Sequence, residues 1–402
     1  MKGASAASGR VASGVAAYAW VVLAAVFVAS VAAPVNQFKV PPVMPALIRD
    51  FGLDMTSAGM LMSVFSLAGL AVAFPAGALL SRVGCKLASL GALALVIAGS
   101  LAGTFAGSDG ALLACRALEG AGMALLGVTA PVAVAAWFPP EHRGLPMGIW
   151  SAWVSTGVIL MMNVSPLVTP PGQWTPTWWL GTGFAVAALV FFAALHRDPG
   201  TAAGEGGGES LRAMFKEALA IRDVWLISLC LFCFNIMVLA LNTFFPTYLV
   251  RVHGLPMAEA DFLSSLPNAV MLVSCPLGGW IADRTGARKA VFSGCLALLG
   301  LWWIVAFRLP AVLMAPALAV FGLLAGPVIT TIITALPEAV RRPALIGFGM
   351  SLLMFWHHLG EFAGPVYFGE MLDRTGSWQA AALGMVPVCA AGALCGWRMR
   401  TA

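Results

Sequence analysis

Residues 52–86 read GLDMTSAGMLMSVFSLAGLAVAFPAGALLSRVGCK, and residues 254–288 read GLPMAEADFLSSLPNAVMLVSCPLGGWIADRTGAR. The two segments lie 202 residues apart, align without a gap and are identical at ten of 35 positions. Each copy is a long apolar stretch that ends in a short basic turn containing glycine. A membrane protein built from two similar halves can rock one half against the other around a site between them, and this architecture is typical of secondary transporters.

The composition indicates a membrane protein. Apolar residues make up 60% of the chain and charged residues 10%, with a mean hydropathy of +0.91, far outside the usage of soluble proteins. The hydrocarbon core of a bilayer needs roughly 20 helical residues. The intervals of at least 18 residues without Asp, Glu, Lys or Arg are 11–38, 55–81, 87–108, 120–140, 144–196, 224–250, 262–282, 290–307, 309–337, 343–360 and 375–397. Because 144–196 is long and contains several prolines, it holds two spans, and the sequence predicts an all-α membrane protein with twelve transmembrane helices.

The basic residues predict the orientation. With the N-terminus inside, cytoplasmic segments carry 16 Lys or Arg and outer loops carry four. Such a bias places both termini in the cytoplasm of a multi-pass protein of the cell membrane. The net charge of +5 therefore reflects topology and indicates no nucleic-acid partner.

The chain divides into two halves at a flexible, glycine-rich segment. Residues 198–210 read DPGTAAGEGGGES, which is the composition of a linker. We therefore expect a six-helix bundle over 1–196, a cytoplasmic linker over 197–222 and a second six-helix bundle over 223–402. The repeat predicts that the bundles are related by a pseudo-twofold axis along the membrane normal.

Other classes of protein are disfavoured. The first apolar run is about twice as long as that of a signal peptide, and its removal would leave the first half one helix short. The eight cysteines lie almost entirely in apolar spans, where cysteine acts as a small hydrophobic residue. The sequence shows no zinc spacing, nucleophile elbow or phosphate loop, so we expect no enzyme, metal or cofactor, and we expect a monomer.

Five stretches resemble motifs of the major facilitator superfamily. Residues 279–289, GWIADRTGARK, are similar to its signature loop between helices 8 and 9, and residues 77–86, GALLSRVGCK, occupy the matching turn between helices 2 and 3. The others are RALEGAG at 116–122, WFPPEHRG at 137–144 and the Gly364–Trp378 passage, which is common in anion-handling branches. The resemblance covers most of the chain and implies the major facilitator fold and transport by alternating access. It is not specific to a substrate.

The two matching turns contain the gating candidates. A carboxylate near a helix N-terminus meets partial positive charge and free N–H groups. By pseudo-symmetry, Asp283 should approach the fifth helix near 146–147, and Ser81 should approach the eleventh near 345. These contacts would hold the halves together on the cytoplasmic side, more weakly at the uncharged Ser81. Alternatively, the turns only set topology. The candidates are Ser81, Arg82, Asp283 and Arg284.

Ionisable residues within the first half are the next candidates, because each costs several kcal/mol to place in a membrane, roughly 2.5–3.5 on insertion scales. Lys39 lies one turn from Asn36 near the outer end of the first span. It either extends to the headgroups or faces the cavity as a partner for an anion. Arg116 and Glu119 are spaced i, i+3 on the fourth helix. They form a structural ion pair or take part in coupling and substrate contact.

The eleventh span carries His357, His358 and Glu361. Either imidazole can meet the carboxylate at i+4 or i+3, and histidine titrates near physiological pH. The group suits proton coupling or an ionisable solute. A structural polar cluster is the alternative, and a metal site is a weaker one.

Polar and aromatic residues complete the candidate set. The amides of Asn163, Asn235, Asn242 and Asn268 could bind a solute or join helices. The tryptophans Trp174, Trp178 and Trp179 are expected at the outer rim of the membrane.

These observations favour a secondary transporter that moves a small organic or inorganic anion by proton-coupled alternating access. The lysine and arginine, the acid–histidine group and the 364–378 passage support this interpretation. Drug efflux is an alternative, but the fifth helix lacks the Gly-Pro-x-x-Gly-Gly element of such antiporters. A transporter-like receptor is a second alternative and would predict a signalling domain or a long tail.

Overall fold

The computed structural model describes residues 3–138, 144–197, 217, 219–340 and 345–399. Within these ranges, the side chains of 3–16, 73–79, 81–82, 144, 283, 337–338 and 346–347 are not described.

The first half contains six long helices. Helix α1 is Gly3–Gln37, and a short helix, Met44–Phe51, follows it. The stretch Met55–Thr104 is helical throughout except at Gly84, whose φ of 81° and ψ of 169° lie outside the helical region. We name its two membrane spans α2, Met55–Val72, and α3, Val83–Thr104. Helix α4 is Asp109–Trp137 and α6 is Thr175–Leu195. Between them, the span α5, Leu145–Val168, consists of the helices Gly144–Ser151 and Trp153–Val168.

The second half repeats this arrangement. Its helices are α7, Arg222–His253; α8, Met257–Thr285; α9, Arg288–Val305; α10, Met314–Val340; α11, Ile346–Thr375; and α12, Trp378–Trp397. Gly286 ends α8 in the left-handed conformation, with φ +63°, which costs an ordinary L-residue energy and costs glycine little.

The all-α prediction is confirmed. Eleven helices within the described ranges are long and apolar enough to cross a membrane. Helix α11 has sufficient length, 30 residues, but is not among those eleven. It is also the helix that carries both histidines and Glu361. The predicted linker 197–222 lies largely outside the described residues, and α7 begins at Arg222.

The two halves meet through α2 with α11 and through α5 with α8. A Cβ on Gly59 would lie 2.7 Å from the carbonyl oxygen of Pro365, and one on Gly369 would lie 2.6 Å from that of Met55. The backbones of α2 and α11 therefore touch at two places, where a glycine of one helix faces a backbone carbonyl of the other. Across the second contact, Asn163 Nδ2 donates to Ser265 Oγ at 3.1 Å.

Candidate functional site

A charged cluster lies inside the first half. Lys39 Nζ is 2.5 Å from Glu119 Oε1, and Arg116 Nη1 donates to the other oxygen of the same carboxylate. Lys39 also donates to Ser100 Oγ at 2.8 Å and to Asn36 Oδ1 at 3.2 Å. None of the three charged side chains is exposed. We call Lys39, Arg116 and Glu119 the buried triad.

The backbone orients the arginine of the triad. Arg116 donates to the carbonyl oxygens of Leu61 at 2.9 Å, Asn36 at 2.7 Å and Gln37 at 2.8 Å. Those carbonyls belong to α1 and α2, so the guanidinium joins α4 to both helices. A planar, permanently charged fork is suited to such a site. The triad combines two cations with one carboxylate and so encloses one excess positive charge.

The structure corrects one of the two interpretations of Lys39. Lys39 does not extend to the headgroups, because its ammonium is enclosed and lies 4.6 Å from the ring centroid of Trp178. Trp178 is fully buried and Trp174 nearly so, whereas Trp179 is about half exposed, so the first two pack inside the protein. Sequence spacing could not predict the contact between Lys39 and Trp178, since it joins the turn after α1 to the sixth helix.

A second cluster lies between the halves. Ser66 on α2 donates to Glu361 Oε2 on α11 at 3.0 Å. His358 Nδ1 lies 3.3 Å from the same oxygen, and His357 Nε2 lies 3.5 Å from Oε1. The side chains are partly exposed, with values of 25%, 17% and 14% for His357, His358 and Glu361. We call these four residues the α2–α11 cluster.

The α2–α11 cluster contains the expected contacts between both imidazoles and the acid. The partner from the other half, Ser66, was not predicted, because a serine in an apolar span carries no signal of its own. The three ligand atoms of the histidines and the acid lie within 4.8 Å of one another, close enough to approach one metal ion. All three groups lie on one helix, two of them on adjacent residues, and the same arrangement is suited to binding a proton.

The candidate asparagines fall into distinct positions. Asn36 is fully buried beside the triad and donates to the carbonyl oxygen of Gly181 at 3.1 Å. Asn235 donates to Leu231 O within its own helix at 2.8 Å. Asn268 on α8 donates to Asn242 Oδ1 on α7 at 2.9 Å. Asn163 reaches α8 through Ser265. Asn163 therefore bridges the halves, whereas Asn36, Asn235 and Asn242 join groups within a half.

Sequence reasoning missed Asp261. This residue lies in the first turns of α8 and directly precedes the charge-free interval 262–282. The structure buries it completely, and α8 already begins at Met257. Its spacing to Ser265 and Asn268, i+4 and i+7, places all three on one helix face, and this pattern could have identified it.

Among the four gating candidates, the structure describes the side chain of Arg284. The side chains of Ser81, Arg82 and Asp283 lie outside the described side chains, so their predicted contacts remain predictions. The guanidinium of Arg284 is exposed and lies 5.1 Å from the ring centroid of Trp280. At the opposite end of the helices, Asp373 of α11 makes the kind of contact that was predicted for Asp283, between a carboxylate and a helix N-terminus. Its carboxylate accepts from Met55 N at 3.1 Å and from Thr56 N at 2.7 Å.

Comparison with known proteins identifies the fold family. The family model for the Major Facilitator Superfamily matches residues 26–365. The chain belongs to this superfamily. It is 26% identical over 365 residues to the hexuronate transporter of Bacillus subtilis (strain 168), with 84% of each chain covered. It is 24% identical over 388 residues to the probable galactarate/D-glucarate transporter GudP of Escherichia coli (strain K12), with 83% of each covered.

A solved structure shows the same fold. A bacterial homologue of the human lysosomal transporter Spinster, crystallised in an inward-facing and unoccupied conformation, superposes with a TM-score of 0.71. The identity is 18%, and 94% of each chain is covered. The resemblance inferred from the motifs and the two-bundle fold are thereby confirmed. This major facilitator protein is a membrane-embedded transporter of a small molecule.

Proposed function

We propose that this protein is a proton-coupled symporter of a small organic acid, acting as a monomer in the cell membrane with both termini in the cytoplasm. Two of the relatives described above carry names of sugar-acid transporters, and sugar acids are anions at neutral pH. The observation that carries the proposal is the α2–α11 cluster, because it places titratable groups where the two halves meet.

The cluster links proton binding to the relative position of the halves. Hydrogen bonds to a carboxylate favour its ionised form. One of the bonds to Glu361 comes from Ser66, which belongs to the other half. When the halves separate at this contact the donor is lost, and the proton affinity of the carboxyl changes with conformation. A group whose proton affinity differs between two conformations couples proton binding to the transition between them.

The same cluster supplies positive charge for an anion. With both imidazoles protonated and Glu361 ionised, the group carries one net positive charge. With Glu361 also protonated, it carries two. An acid solute would therefore be bound most favourably when the cluster holds its protons, and solute and proton would move in the same direction. The bridging Asn163 adds an uncharged donor on the neighbouring contact between the halves.

The buried triad has a different part in this proposal. Its excess charge is enclosed within the first half and is compensated by Ser100, Asn36 and backbone carbonyls. A solute would have to part α1 from α4 and α6 to reach it. We therefore assign Lys39, Arg116 and Glu119 to holding the first half rigid while it moves as a unit.

The test is uptake into proteoliposomes with D-glucuronate and galactarate as solutes. An inward pH gradient should drive accumulation by the unaltered protein. Glu361→Gln should abolish that accumulation while solute exchange without a gradient persists, because the amide preserves shape and removes the titrating group. Glu259→Gln, at an exposed acid of α8, is the matched control and should accumulate solute normally. Absence of gradient-driven uptake in the unaltered protein would refute proton symport.

A further inference from the structure

Asp261 is a fully buried acid that the proposed coupling cluster does not use. Its exposed fraction is 0%, and neither carboxylate oxygen has a hydrogen-bond partner among the described residues. Buried polar groups are usually paired, and a single unpaired one calls for a physical explanation. Here both oxygens of one side chain are unpaired.

The surroundings of Asp261 are polar but uncharged. Ser265 and Asn268 lie on the same face of α8 and are nearly buried. Ser265 accepts from Asn163 of α5 at 3.1 Å, and Asn268 donates to Asn242 of α7 at 2.9 Å. The face that carries Asp261 is thus directed towards α5, in the other half, and α7. We call Asp261, Ser265 and Asn268 the α8 strip.

The helices packed against α8 are α5, α7, α9 and α10, and the described part of the chain shows no cation from them at Asp261. The α5 span, 145–168, has no ionisable residue. At the near end of α7, His253 Nε2 lies 3.1 Å from Tyr248 Oη, and Arg251 is exposed and directed to Met55 Sδ at 4.0 Å. Arg308, which precedes α10, is also exposed.

The remaining charged residues of these helices lie at the far end of α8. They are Arg222 and Asp223 at the start of α7, Asp283 and Arg284 at the end of α8, Arg288 and Lys289 at the start of α9, and Glu338 at the end of α10. The side chains of Asp283 and Glu338 are not among those described. Near the start of α8, Glu259 is exposed. The only ionisable member of the α8 strip is therefore Asp261.

A carboxylate without hydrogen bonds or a counter-ion is strongly disfavoured in an apolar environment, and such a group takes up a proton instead. We propose that Asp261 is a second proton-binding site of this transporter, protonated in the conformation described. An O–H bond forms when a water-borne proton binds one carboxylate oxygen, and the proton returns to water on the other side. No electrons are exchanged and no other group is required.

The position of Asp261 explains how its proton could be released. Because α8 faces α5 of the other half, separation of the halves along this contact would admit water to the strip. A hydrated carboxyl can lose its proton, whereas the enclosed one retains it. The coupling role of Asp261 rests on the proton symport proposed above. The protonation of Asp261 does not depend on that proposal.

Infrared spectroscopy tests whether Asp261 is protonated, and transport tests whether it serves coupling. A protonated carboxyl gives a carbonyl stretching band that a carboxylate lacks. The purified protein should show this band at neutral pH, Asp261→Asn should lose it, and Glu259→Gln should keep it. If Asp261→Asn does not fold, Asp261→Glu should shift the band without removing it. A band of unchanged position and intensity in both Asp261 variants would overturn the assignment.

Transport by the same variants tests coupling. Asp261→Asn should lose accumulation driven by a pH gradient, whereas the control Glu259→Gln should keep it. Full accumulation by Asp261→Asn would overturn a coupling role. If the unaltered protein shows no gradient-driven uptake but Asp261→Asn still loses the band, proton symport fails while the protonated site stands.

Discussion

At the scale of single residues, the buried triad is asymmetric, because Glu119 is the one anion between two cations. Removing one partner of a buried pair costs about 3–5 kcal/mol, since the other charge is left uncompensated. Glu119→Gln leaves Lys39 and Arg116 facing each other. Lys39→Met leaves a neutral pair of Arg116 with Glu119. We expect Glu119→Gln to lower the free energy of unfolding by about 3–5 kcal/mol and Lys39→Met to lower it by clearly less.

Unfolding of the purified variants in detergent, followed by circular dichroism, would measure this difference. Methionine retains much of the apolar length of lysine, so packing on Trp178 is largely kept and the comparison reports charge. Ser100→Ala provides a control that removes one uncharged acceptor of Lys39 and should have a small effect. A larger loss of stability in Lys39→Met than in Glu119→Gln would show that the lysine, and not the carboxylate, organises the triad.

The same residues show what sequence reasoning reaches. The pairing of Arg116 with Glu119 follows from their spacing on one helix, and so do the contacts of His357 and His358 with Glu361. The pairing of Lys39 with Glu119 joins positions 80 apart, and spacing holds no information on it. The partner choice depends on how α1 packs against α4, which is set by the whole bundle.

At the scale of elements, the N-terminus of α2 has two carboxylate caps. Asp54 accepts from Ser57 N at 2.7 Å within the same half. Asp373 of α11 accepts from Met55 N and Thr56 N, and also from Thr56 Oγ1 at 2.6 Å. One cap stabilises only the helix, whereas the other also joins the two halves. Both use the free N–H groups and partial positive charge of a helix start.

Replacing each cap by alanine should distinguish these functions. Asp373→Ala should increase the separation of the halves at this end, because the contact between α2 and α11 loses the hydrogen bonds from Met55 and Thr56 to the carboxylate. Asp54→Ala should cost about 0.5–2 kcal/mol of stability and leave the separation unchanged. Spin labels at Gly107 and Val312, both exposed and in different halves, would measure the distance between them. Equal distance distributions in the two variants would contradict a joining function for Asp373.

The pH dependence of the Asp54 cap can be stated with its sign. Hydrogen bonds from Ser57 hold the pKa of Asp54 below its ordinary value of 3.8. Its contribution to stability is therefore complete above that value and is lost as the pH falls through the lower folded-state pKa. Since the side chain is largely exposed, the effect is small. Unfolding of Asp54→Ala and the unaltered protein should converge in acid and differ at neutral pH.

Element positions were predictable because they depend on hydrophobicity alone, which a bilayer enforces along the whole chain. The ends of the helices were less predictable than their positions. The charge-free intervals do not show where a helix begins. Helix α4 begins at Asp109, ahead of the interval 120–140, and α8 begins at Met257, ahead of the interval 262–282, so that it includes Asp261. A membrane helix holds a charge where tertiary contacts or a proton compensate it, and neither is visible in a hydropathy pattern.

At the scale of the whole molecule, the two halves share a fold but not a site. The position equivalent to Asp261 in the first half is Gly59, which allows α2 to touch Pro365 of α11. The position equivalent to Asp373 is Pro171. Twofold symmetry therefore predicts the arrangement of helices, whereas the groups that would bind protons occur in one copy only. Function in this protein arises where the repeat has diverged.

The orientation of the whole molecule decides which side of the membrane the Asp373 contact closes. The bias of 16 basic residues against four predicts that this contact, Val312 and Gly107 face outward. A membrane-impermeant thiol reagent should then label Val312→Cys in intact cells. It should label Leu145→Cys, exposed at the opposite end of the helices, only after permeabilisation. The eight native cysteines that the structure describes are buried or half-buried, so background labelling should be low. With this outcome the contact between Asp373 and the start of α2 lies on the outer side of the membrane. The reverse labelling pattern would invert the topology and place this contact on the cytoplasmic side.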